Sequence, residues 1–382
     1  MNLQFSFASL DALVWMTIAV ASFWVMPRFK IQVLTLVGFT FLLSADPISA
    51  LILAILTILT FGFTHRPLQT GTQTSVAILL IFSVLAYYKI SFINSDPALF
   101  NFVPMGISYY TLRCIHFIME RYKNRIEPQT IGNLAAYLFF LPTLWIGPIH
   151  RYEDFDKDRR RMRWNGELFS QGLERLLIGY FKVIVIANML LNQTFAGWVD
   201  SLPASGLWLT TYLEMVGIGL TLYMLFSGYS DIAIGFGYLL GFKVMENFRF
   251  PFLQKNISDF WRNWHISLTN WCREYIYNTV VAQTRRPELG VIATLLVIAM
   301  WHEVSWRYFL WGLYHGLGIL IWQKRAIFSA LLPKFESNWY HRLMLIFSIL
   351  LTVHFVWLGF ILVRQDDINS MVSILRILFF FH

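Results

Sequence analysis

Nearly unbroken apolar runs, separated by short polar segments, make up most of this sequence. A run such as 76–88 lacks the alternation of apolar and polar positions that marks a strand of a membrane barrel, so the pattern predicts helices. Several runs fall short of the roughly 20 residues that cross a bilayer, which indicates tilted, broken or re-entrant helices. The predicted apolar segments are 5–26, 31–44, 48–63, 76–90, 131–149, 168–191, 207–228, 289–301, 308–322 and 343–363, with an apolar tail at 372–381.

The stretch 247–279 breaks this pattern because ionisable side chains alternate there with aromatic ones. Asn256, followed three residues later by Asp259, is typical of a helix start with an acidic first turn. We therefore expect one amphipathic helix over 256–279 that lies at the membrane interface or lines a polar cavity, with His265 towards the cavity. The side chains that share one face of this helix are Trp261, Trp264, His265, Leu268 and Trp271.

Composition agrees with a membrane protein. Hydrophobic residues make up 57% of the 382 residues and charged residues 14%, and the mean hydropathy is +0.55. Soluble domains carry about 25% charged residues, so most elements here must face lipid or one another. We predict one all-α domain over 1–382, a polytopic integral membrane protein with about ten to eleven transmembrane helices plus re-entrant or interfacial helices.

The formal net charge of +8 points to the membrane and not to nucleic acid. Most basic residues lie in short segments between apolar runs, such as 121–125 and 151–163, where cytoplasmic loops concentrate Lys and Arg. Cys114 and Cys272 lack the spacing of metal ligands, and we expect them to be packing residues. No basic segment precedes the first apolar run, which Asp11 interrupts, so we expect a retained span and not a cleaved signal peptide.

The most informative ionisable side chains are His302 and Glu303, which directly follow an apolar run. An ionisable group at membrane depth costs ~2.5–3.5 kcal/mol, so such groups usually mark a pathway or a reactive site. The competing interpretation is a structural His–Glu pair that joins two helices. A re-entrant helix could bring His265 into the same cavity, whereas His315 falls on another face of a continuous helix and suits packing or gating.

The remaining histidines have plainer explanations. His65, His341 and His382 fall at predicted loop or chain ends, while His116 and His354 are isolated within apolar or amphipathic segments and suit hydrogen-bonded core positions. His150 follows a loop-like Gly-Pro-Ile and is left open. The histidines and cysteines have no metal-ligand spacing, so no metal site is expected.

An imidazole in a water-poor cavity is suited to take a proton from a hydroxyl that attacks an activated acyl group. A serine hydrolase would require a Gly-x-Ser-x-Gly elbow and a nucleotide-binding protein a phosphate loop, and the sequence has neither. Acyl transfer is therefore the chemistry that the histidines favour.

Six motifs follow one another along most of the chain. They are Val-Pro-Met-Gly-Ile-Ser-Tyr-Tyr at 103–110, Leu-Pro-Thr-Leu-Trp-Ile-Gly-Pro-Ile-His-Arg-Tyr at 141–152, Phe-Ser-Gly-Tyr-Ser-Asp-Ile-Ala-Ile-Gly at 226–235, Glu-Asn-Phe-Arg-Phe-Pro-Phe at 246–252, Asp-Phe-Trp-Arg-Asn-Trp-His-Ile-Ser at 259–267, and Met-Trp-His-Glu at 300–303 leading to Trp-Gly-Leu-Tyr-His-Gly at 311–316. In this order they resemble the membrane-bound O-acyltransferases, in particular the bacterial branch of alginate O-acetylases and D-alanyl transfer proteins of teichoic acid.

The resemblance implies a helical core around a central funnel whose thin middle lets donor and acceptor meet from opposite sides. It also implies that His302, in the Trp-His pair, is the catalytic general base, and that His265 orients a substrate or stabilises the developing oxyanion. The side chains that it suggests for substrate binding are Tyr229, Ser230, Asp231, Asn247, Arg262, Trp264, Trp301 and Glu303.

The implied reaction moves a small acyl group, acetyl or D-alanyl, from a cytoplasmic thioester donor to a hydroxyl of an envelope polysaccharide, teichoic acid or partner protein. The donor, acetyl-CoA or the phosphopantetheine of an acyl carrier protein, is a substrate, and no tightly bound cofactor is expected. The implied partners are this donor, the acceptor polymer or an extracytoplasmic acyltransferase, and the lipid bilayer, and the implied location is a bacterial inner or plasma membrane.

Several alternatives stay open at this point. A transporter, or an inactive scaffold that recruits an extracytoplasmic acyltransferase, would also form a helical bundle with polar breaks. Glu303 stands where many relatives have Gly, and its carboxylate would either favour the charged form of His302 or pair with Arg307. The motifs decide neither between acetyl and D-alanyl nor between direct transfer and an acyl-enzyme.

Overall fold

The structure of the chain is a computed structural model that describes residues 9–66, 70–93, 103–203, 207–324, 338–365 and 367–380. All regular structure within these ranges is helical. The chain forms two compact units. The first unit comprises Met1–Phe181 and Gly228–Met245, and the second comprises Lys182–Ser227 and Glu246–His382. The prediction of a single domain, and that of a central funnel, stay predictions.

The helices of the first unit are mostly long and apolar. They are α1 (Leu10–Val25), α2 (Lys30–Ala45), α3 (Pro47–Thr64), α4 (Gly71–Ile93), α5 (Ile107–Tyr122), α6 (Ile131–Leu138), α7 (Tyr152–Arg159) and α8 (Gly166–Tyr180). Helix α8 continues as a π-helix over Phe181–Phe195 and then as α9 (Ala196–Asp200). Helix α10 (Leu207–Leu239) supplies its last residues, from Gly228 onward, to this unit.

The helices of the second unit include several short ones. After the first part of α10 come α11 (Ile257–Asn263), α12 (Ile266–Cys272), a π-helical turn at Arg273–Tyr277 and α13 (Asn278–Thr284). The long helices α14 (Pro287–His302), α15 (Trp306–Gln323) and α16 (Asn338–Val363) follow, and the last is α17 (Ile368–Phe380). Helices α14 and α15 pack against each other, with Gly312 of α15 against Leu295 and Ala299 of α14.

Six helical stretches of the described residues are long and apolar enough to cross a membrane. Three further apolar helices, α1, α14 and α17, are shorter. The prediction of an all-α polytopic membrane protein is therefore confirmed. The six stretches are Pro27–Ala45, Pro47–Thr64, Gly71–Ile90, Gly166–Asp200, Leu207–Leu239 and Trp339–Val363.

The predicted span 131–149 is wrong. Only Ile131–Leu138 is α-helical, and a single 3₁₀ turn over Leu141–Thr143 follows. Pro142 cannot continue an α-helix, and Gly147 has φ +130°, a backbone conformation that side-chain-bearing residues rarely adopt. The segment is buried all the same, which explains why its sequence is as apolar as that of a span.

Helix α5 was not among the predicted segments because four charged or titratable side chains interrupt its apolar positions. The structure buries these side chains together with most of the helix. The four are Arg113, His116, Glu120 and Arg121. The predicted runs 168–191 and 207–228 are also longer than expected, since helix continues to Asp200 and Leu239.

Glycines allow α8 and the last part of α10 to touch backbone to backbone within the first unit. A Cβ on Gly235 would lie 2.7 Å from the carbonyl oxygen of Gly172 and 2.9 Å from the backbone nitrogen of Leu176. A Cβ on Gly179 would likewise lie 2.8 Å from the carbonyl oxygen of Gly228. Small residues let membrane helices approach in this way, because dispersion and not hydrophobicity drives their association.

We expect Gly235→Ala to destabilise the protein by ~1–3 kcal/mol, because the added methyl group meets backbone atoms that cannot move aside. Gly197→Ala is the matched control, since outside the neighbouring backbone of its own helix no described atom lies within 4 Å of the Cβ that it adds to α9. The control should be neutral or stabilise by up to ~1 kcal/mol, owing to the higher helix propensity of Ala. Thermal unfolding in detergent measures both, and equal midpoints would contradict the close packing.

Candidate functional site

The helix predicted over 256–279 is broken at Trp264 and His265. Helix α11 ends at Asn263, and α12 begins at Ile266 with His265 as its N-cap. His265 has φ +45° and ψ +52°, a left-handed conformation that is uncommon for a residue with a side chain. The expected single helix is therefore wrong, although its start is right, since the Asn256 side chain accepts a hydrogen bond from the backbone N–H of Asp259 at 2.8 Å.

The break is held by Asn247, which is completely buried. Its side-chain oxygen accepts hydrogen bonds from the hydroxyl of Ser267 at 2.9 Å and from the backbone N–H of Ser267 at 3.3 Å. Its backbone carbonyl accepts a third bond from the N–H of Ile266 at 2.9 Å. These bonds satisfy donors that the first turn of α12 would otherwise leave unpaired, and so they stabilise the left-handed residue that precedes it.

Because the helix is broken, the five side chains predicted to share one face do not lie along a single helix. All five side chains of the predicted face are buried. Trp264 lies in an aromatic cluster, with ring centroids 5.0 Å from Phe248 and 5.4 Å from Phe260. Arg262 lies on the other side of α11, where its guanidinium is exposed and pairs with Asp259 at 3.1 Å. Trp264 therefore packs in the core, and a substrate-binding role for either residue stays a prediction.

The His265 side chain is 1% exposed, and neither ring nitrogen has a hydrogen-bond partner among the described residues. Its neighbours are aromatic, with the Phe226 ring 4.7 Å away and the Trp301 ring 5.8 Å away in an edge-on arrangement. Burial, with a smaller effect of His302, lowers the pKa of His265 to about 3. The imidazole is therefore neutral at physiological pH, with one N–H to donate and one nitrogen to accept.

His302 is the last residue of α14 and is exposed. Its ring lies 4.9 Å from that of Trp301, stacks on Tyr308 at 5.9 Å and meets Trp311 edge-on at 6.1 Å. Trp301 thus contacts both imidazoles, one buried and one exposed. The structure brings together the two histidines that the sequence singled out.

Glu303 lies in the turn between α14 and α15, and its carboxylate pairs with Arg307 at the start of α15. Two hydrogen bonds join them, Nε to Oε1 at 3.0 Å and Nη2 to Oε2 at 3.1 Å. Arg307 also donates to the carbonyl of Gln365 at 3.3 Å. Glu303 was expected either to favour the charged form of His302 or to pair with Arg307, and in the structure it pairs with Arg307.

Three other histidines are structural. The Nδ1 atom of buried His315 accepts a hydrogen bond from Trp261 at 3.3 Å, in line with the expected packing role. His354 lies 2.8 Å from the hydroxyl of Tyr212, and His116 lies 2.9 Å from a carboxylate oxygen of Glu153. The expectation of a hydrogen-bonded core position is confirmed for His116, which is buried, whereas His354 is hydrogen-bonded but only half-buried.

The motif residues Tyr229, Ser230 and Asp231 belong to the first unit, whereas Asn247 and both site histidines belong to the second. Asp231 is buried and accepts a hydrogen bond from Nε of Arg175 at 2.6 Å. Arg175 is not among the site residues predicted from the sequence, although a cation within the apolar run of α8 is itself a signal of a buried partner. Within the described part of the chain, no three His, Cys, Asp or Glu side chains form a group that could hold a metal ion.

We expect Asn247→Ala to destabilise the protein by ~1–3 kcal/mol, because it leaves the buried donors of Ser267 without a partner. It should also lower activity, since His265 then loses the support of its left-handed backbone. Half-buried Asn270, on α12, provides the matched control Asn270→Ala. Thermal unfolding and an activity assay check the pair, and an Asn247→Ala protein as stable and active as the control would contradict the assignment.

Comparison with known proteins gives the same family as the motifs. The model of the membrane-bound O-acyltransferase family matches residues 57–363. A probable alginate O-acetylase of Azotobacter vinelandii is 30% identical over 70% of this chain and 52% of its own length. A teichoic acid D-alanyltransferase of Bacillus subtilis is 30% identical over 67% of each chain, and a peptidoglycan O-acetyltransferase of Helicobacter pylori is 28% identical over 72% of this chain and 56% of its own.

The chain spans about half the length of the alginate O-acetylases that it matches. The matched region nevertheless includes both site histidines and most of the described helices, from the second half of α3 to the end of α16. This match extends over more than half of the chain. The chain belongs to the membrane-bound O-acyltransferase family.

Proposed function

We propose that the protein is an O-acyltransferase that moves a small acyl group from a thioester donor to a hydroxyl of a cell-envelope polymer or of a partner protein. The observation that carries the proposal is the exposed imidazole of His302 at the end of an apolar helix, beside Trp301 and within the region of the family match. The relatives act by name on alginate, teichoic acid and peptidoglycan, which are all envelope polymers.

In the proposed reaction, a ring nitrogen of His302 takes the proton of the acceptor hydroxyl as its oxygen attacks the thioester carbonyl carbon. A carbon–oxygen bond forms, the carbon–sulfur bond breaks, and the departing thiolate takes the proton back from the imidazolium. The thioester is already activated, so proton removal and positioning supply much of the acceleration. The exposed position of His302 suits a group that must meet both substrates.

His265, whose ring lies beside Trp301, is proposed to orient a substrate or to stabilise the developing oxyanion. Its imidazole is neutral, buried and attached to a backbone that Asn247 holds in place. A fixed N–H group in such surroundings can orient a substrate or stabilise a developing oxyanion without rearrangement. Its neutrality also means that His265 does not compete with His302 as the titrating base.

The proposed donor is acetyl-CoA or an acylated carrier protein on the cytoplasmic side, and no tightly bound cofactor takes part. Acetyl and D-alanyl remain the two candidate acyl groups, since the relatives include both kinds of transferase by name. The proposed setting is a bacterial inner or plasma membrane, with the acceptor polymer or an extracytoplasmic acyltransferase as partner. An inactive scaffold would not need the imidazole of His302, so that side chain discriminates between a catalyst and a scaffold.

We expect His302→Ala to lower acyl transfer by about 100- to 10,000-fold, the contribution of a general base. Protein amount and membrane insertion should stay normal, because the side chain is exposed. His65→Ala is the control, since His65 is also exposed and its recorded contacts within the described residues are with its own helix, the carbonyl of Gly62 at 2.9 Å and the Phe61 ring at 5.7 Å. Turnover is measured with radiolabelled thioester and the envelope polymer. Wild-type turnover by His302→Ala would refute the general-base role and favour a scaffold.

For His265 we expect a different pH signature. Because its pKa is about 3, His265 does not titrate between pH 5 and 8, so another group sets the acid limb of the rate profile. His265→Gln should therefore lower kcat by about 10- to 1,000-fold, in the range of a lost oxyanion donor, and leave the midpoint of the acid limb unchanged. Rate profiles of wild type and variant check this. A shifted or lost acid limb would instead make His265 the titrating base.

A further inference from the structure

Arg113 is a completely buried cation in the first unit, at the middle of α5. Its guanidinium carbon lies 4.4 Å from the centre of the Tyr137 ring, and Nη1 donates to the carbonyl oxygen of Thr143 at 3.4 Å. These contacts hold one side of the guanidinium against α6 and the Leu141–Thr143 turn. The cation–π contact offsets part of the cost of removing the charge from water.

The other two guanidinium nitrogens, Nε and Nη2, are buried and have no hydrogen-bond partner among the described residues. Their N–H groups lie along one edge of the planar group and point in parallel. This edge is the one with which arginine binds both oxygens of a carboxylate or a phosphate at once. No described carboxylate pairs with Arg113, and the carboxylate of Glu153 is engaged by His116 at 2.9 Å.

Other buried polar side chains of the first unit also lack a partner in the described ranges. Tyr137, which lies against Arg113, donates its hydroxyl to the carbonyl of His150 at 2.7 Å, so His150 belongs to the same neighbourhood. Both ring nitrogens of His150 are buried. The hydroxyl of Thr143, whose carbonyl accepts from Arg113, is also buried without a partner among the described residues.

Buried polar groups are nearly always hydrogen-bonded, and a buried charge is nearly always paired. A buried guanidinium edge without a partner, with Thr143 and His150 nearby, matches a negatively charged ligand with several acceptor oxygens. We propose that the Nε and Nη2 edge of Arg113 binds a small free oxyanion, a carboxylate or a phosphate, inside the first unit. The proposal does not depend on acyl transfer, because it uses neither His302 nor His265.

The test uses the purified chain in detergent, in a buffer free of oxyanions. Acetate, phosphate and chloride are titrated separately, and heat release and the thermal unfolding midpoint are measured. Acetate or phosphate should bind saturably with one site per chain and raise the midpoint, because a ligand of the folded state stabilises it. Chloride at the same ionic strength should not do so, and the two oxyanion arms separate a carboxylate site from a phosphate site.

Arg113→Lys keeps the positive charge but removes the paired N–H groups, so it should weaken oxyanion binding by about 10- to 100-fold, the value of one charge-assisted hydrogen bond. Arg121→Lys is the matched control on the same helix. Arg121 is also buried, but its guanidinium donates to the carbonyls of Thr64 and Ile126, so its replacement should leave oxyanion binding unchanged.

If Arg113→Lys does not fold, His150→Leu is the second variant, because it removes two buried nitrogens of the same group and should also weaken binding. Wild-type protein that binds neither acetate nor phosphate, or that responds to chloride equally, would overturn the proposal and make Arg113 a brace for the Leu141–Thr143 turn. Wild-type affinity in every folded variant would overturn it as well.

Discussion

Satisfaction of buried polar groups is the constraint on which this structure depends. In a chain this apolar, a helix break exposes backbone donors to surroundings that cannot hydrate them, so each break needs a dedicated partner. The break between α11 and α12 has such a partner in Asn247, which binds the first residues of α12 through both its side chain and its carbonyl. The position of His265 is a consequence of that arrangement.

The same constraint explains why the two site histidines differ. His265 is enclosed by aromatic rings and stays neutral, whereas His302 sits at the exposed end of α14. The Trp301 ring contacts both imidazoles and so keeps the two histidines close together. This arrangement does not require a direct hydrogen bond between the imidazoles. A neutral buried imidazole suits orientation and an accessible one suits proton transfer, so burial alone divides the two proposed roles.

Hydrophobic pattern was sufficient to predict the helical membrane class and most long helices, because those helices are apolar throughout. The hydrophobic pattern failed for segments that are buried against other parts of the protein and do not face lipid. Helix α5 has buried charges such as Arg113 that disguise it, and the segment 131–149 is apolar but contains Pro142 and Gly147, which prevent a continuous helix. The candidate histidines were predictable from their local motifs. The bonds of Asn247 and the pairing of Arg175 with Asp231 were not, since they join residues far apart in the sequence.

The central claim is that the imidazole of His302 itself moves the proton. Because this side chain is exposed, imidazole from solution can occupy the space that His302→Gly leaves, which allows chemical rescue. The account predicts that His302→Gly loses acyl transfer, that added imidazole restores it in a concentration-dependent way, and that buried His265→Gly is not rescued. Full turnover of His302→Gly without imidazole, or inactivity that imidazole leaves unchanged, would contradict the account.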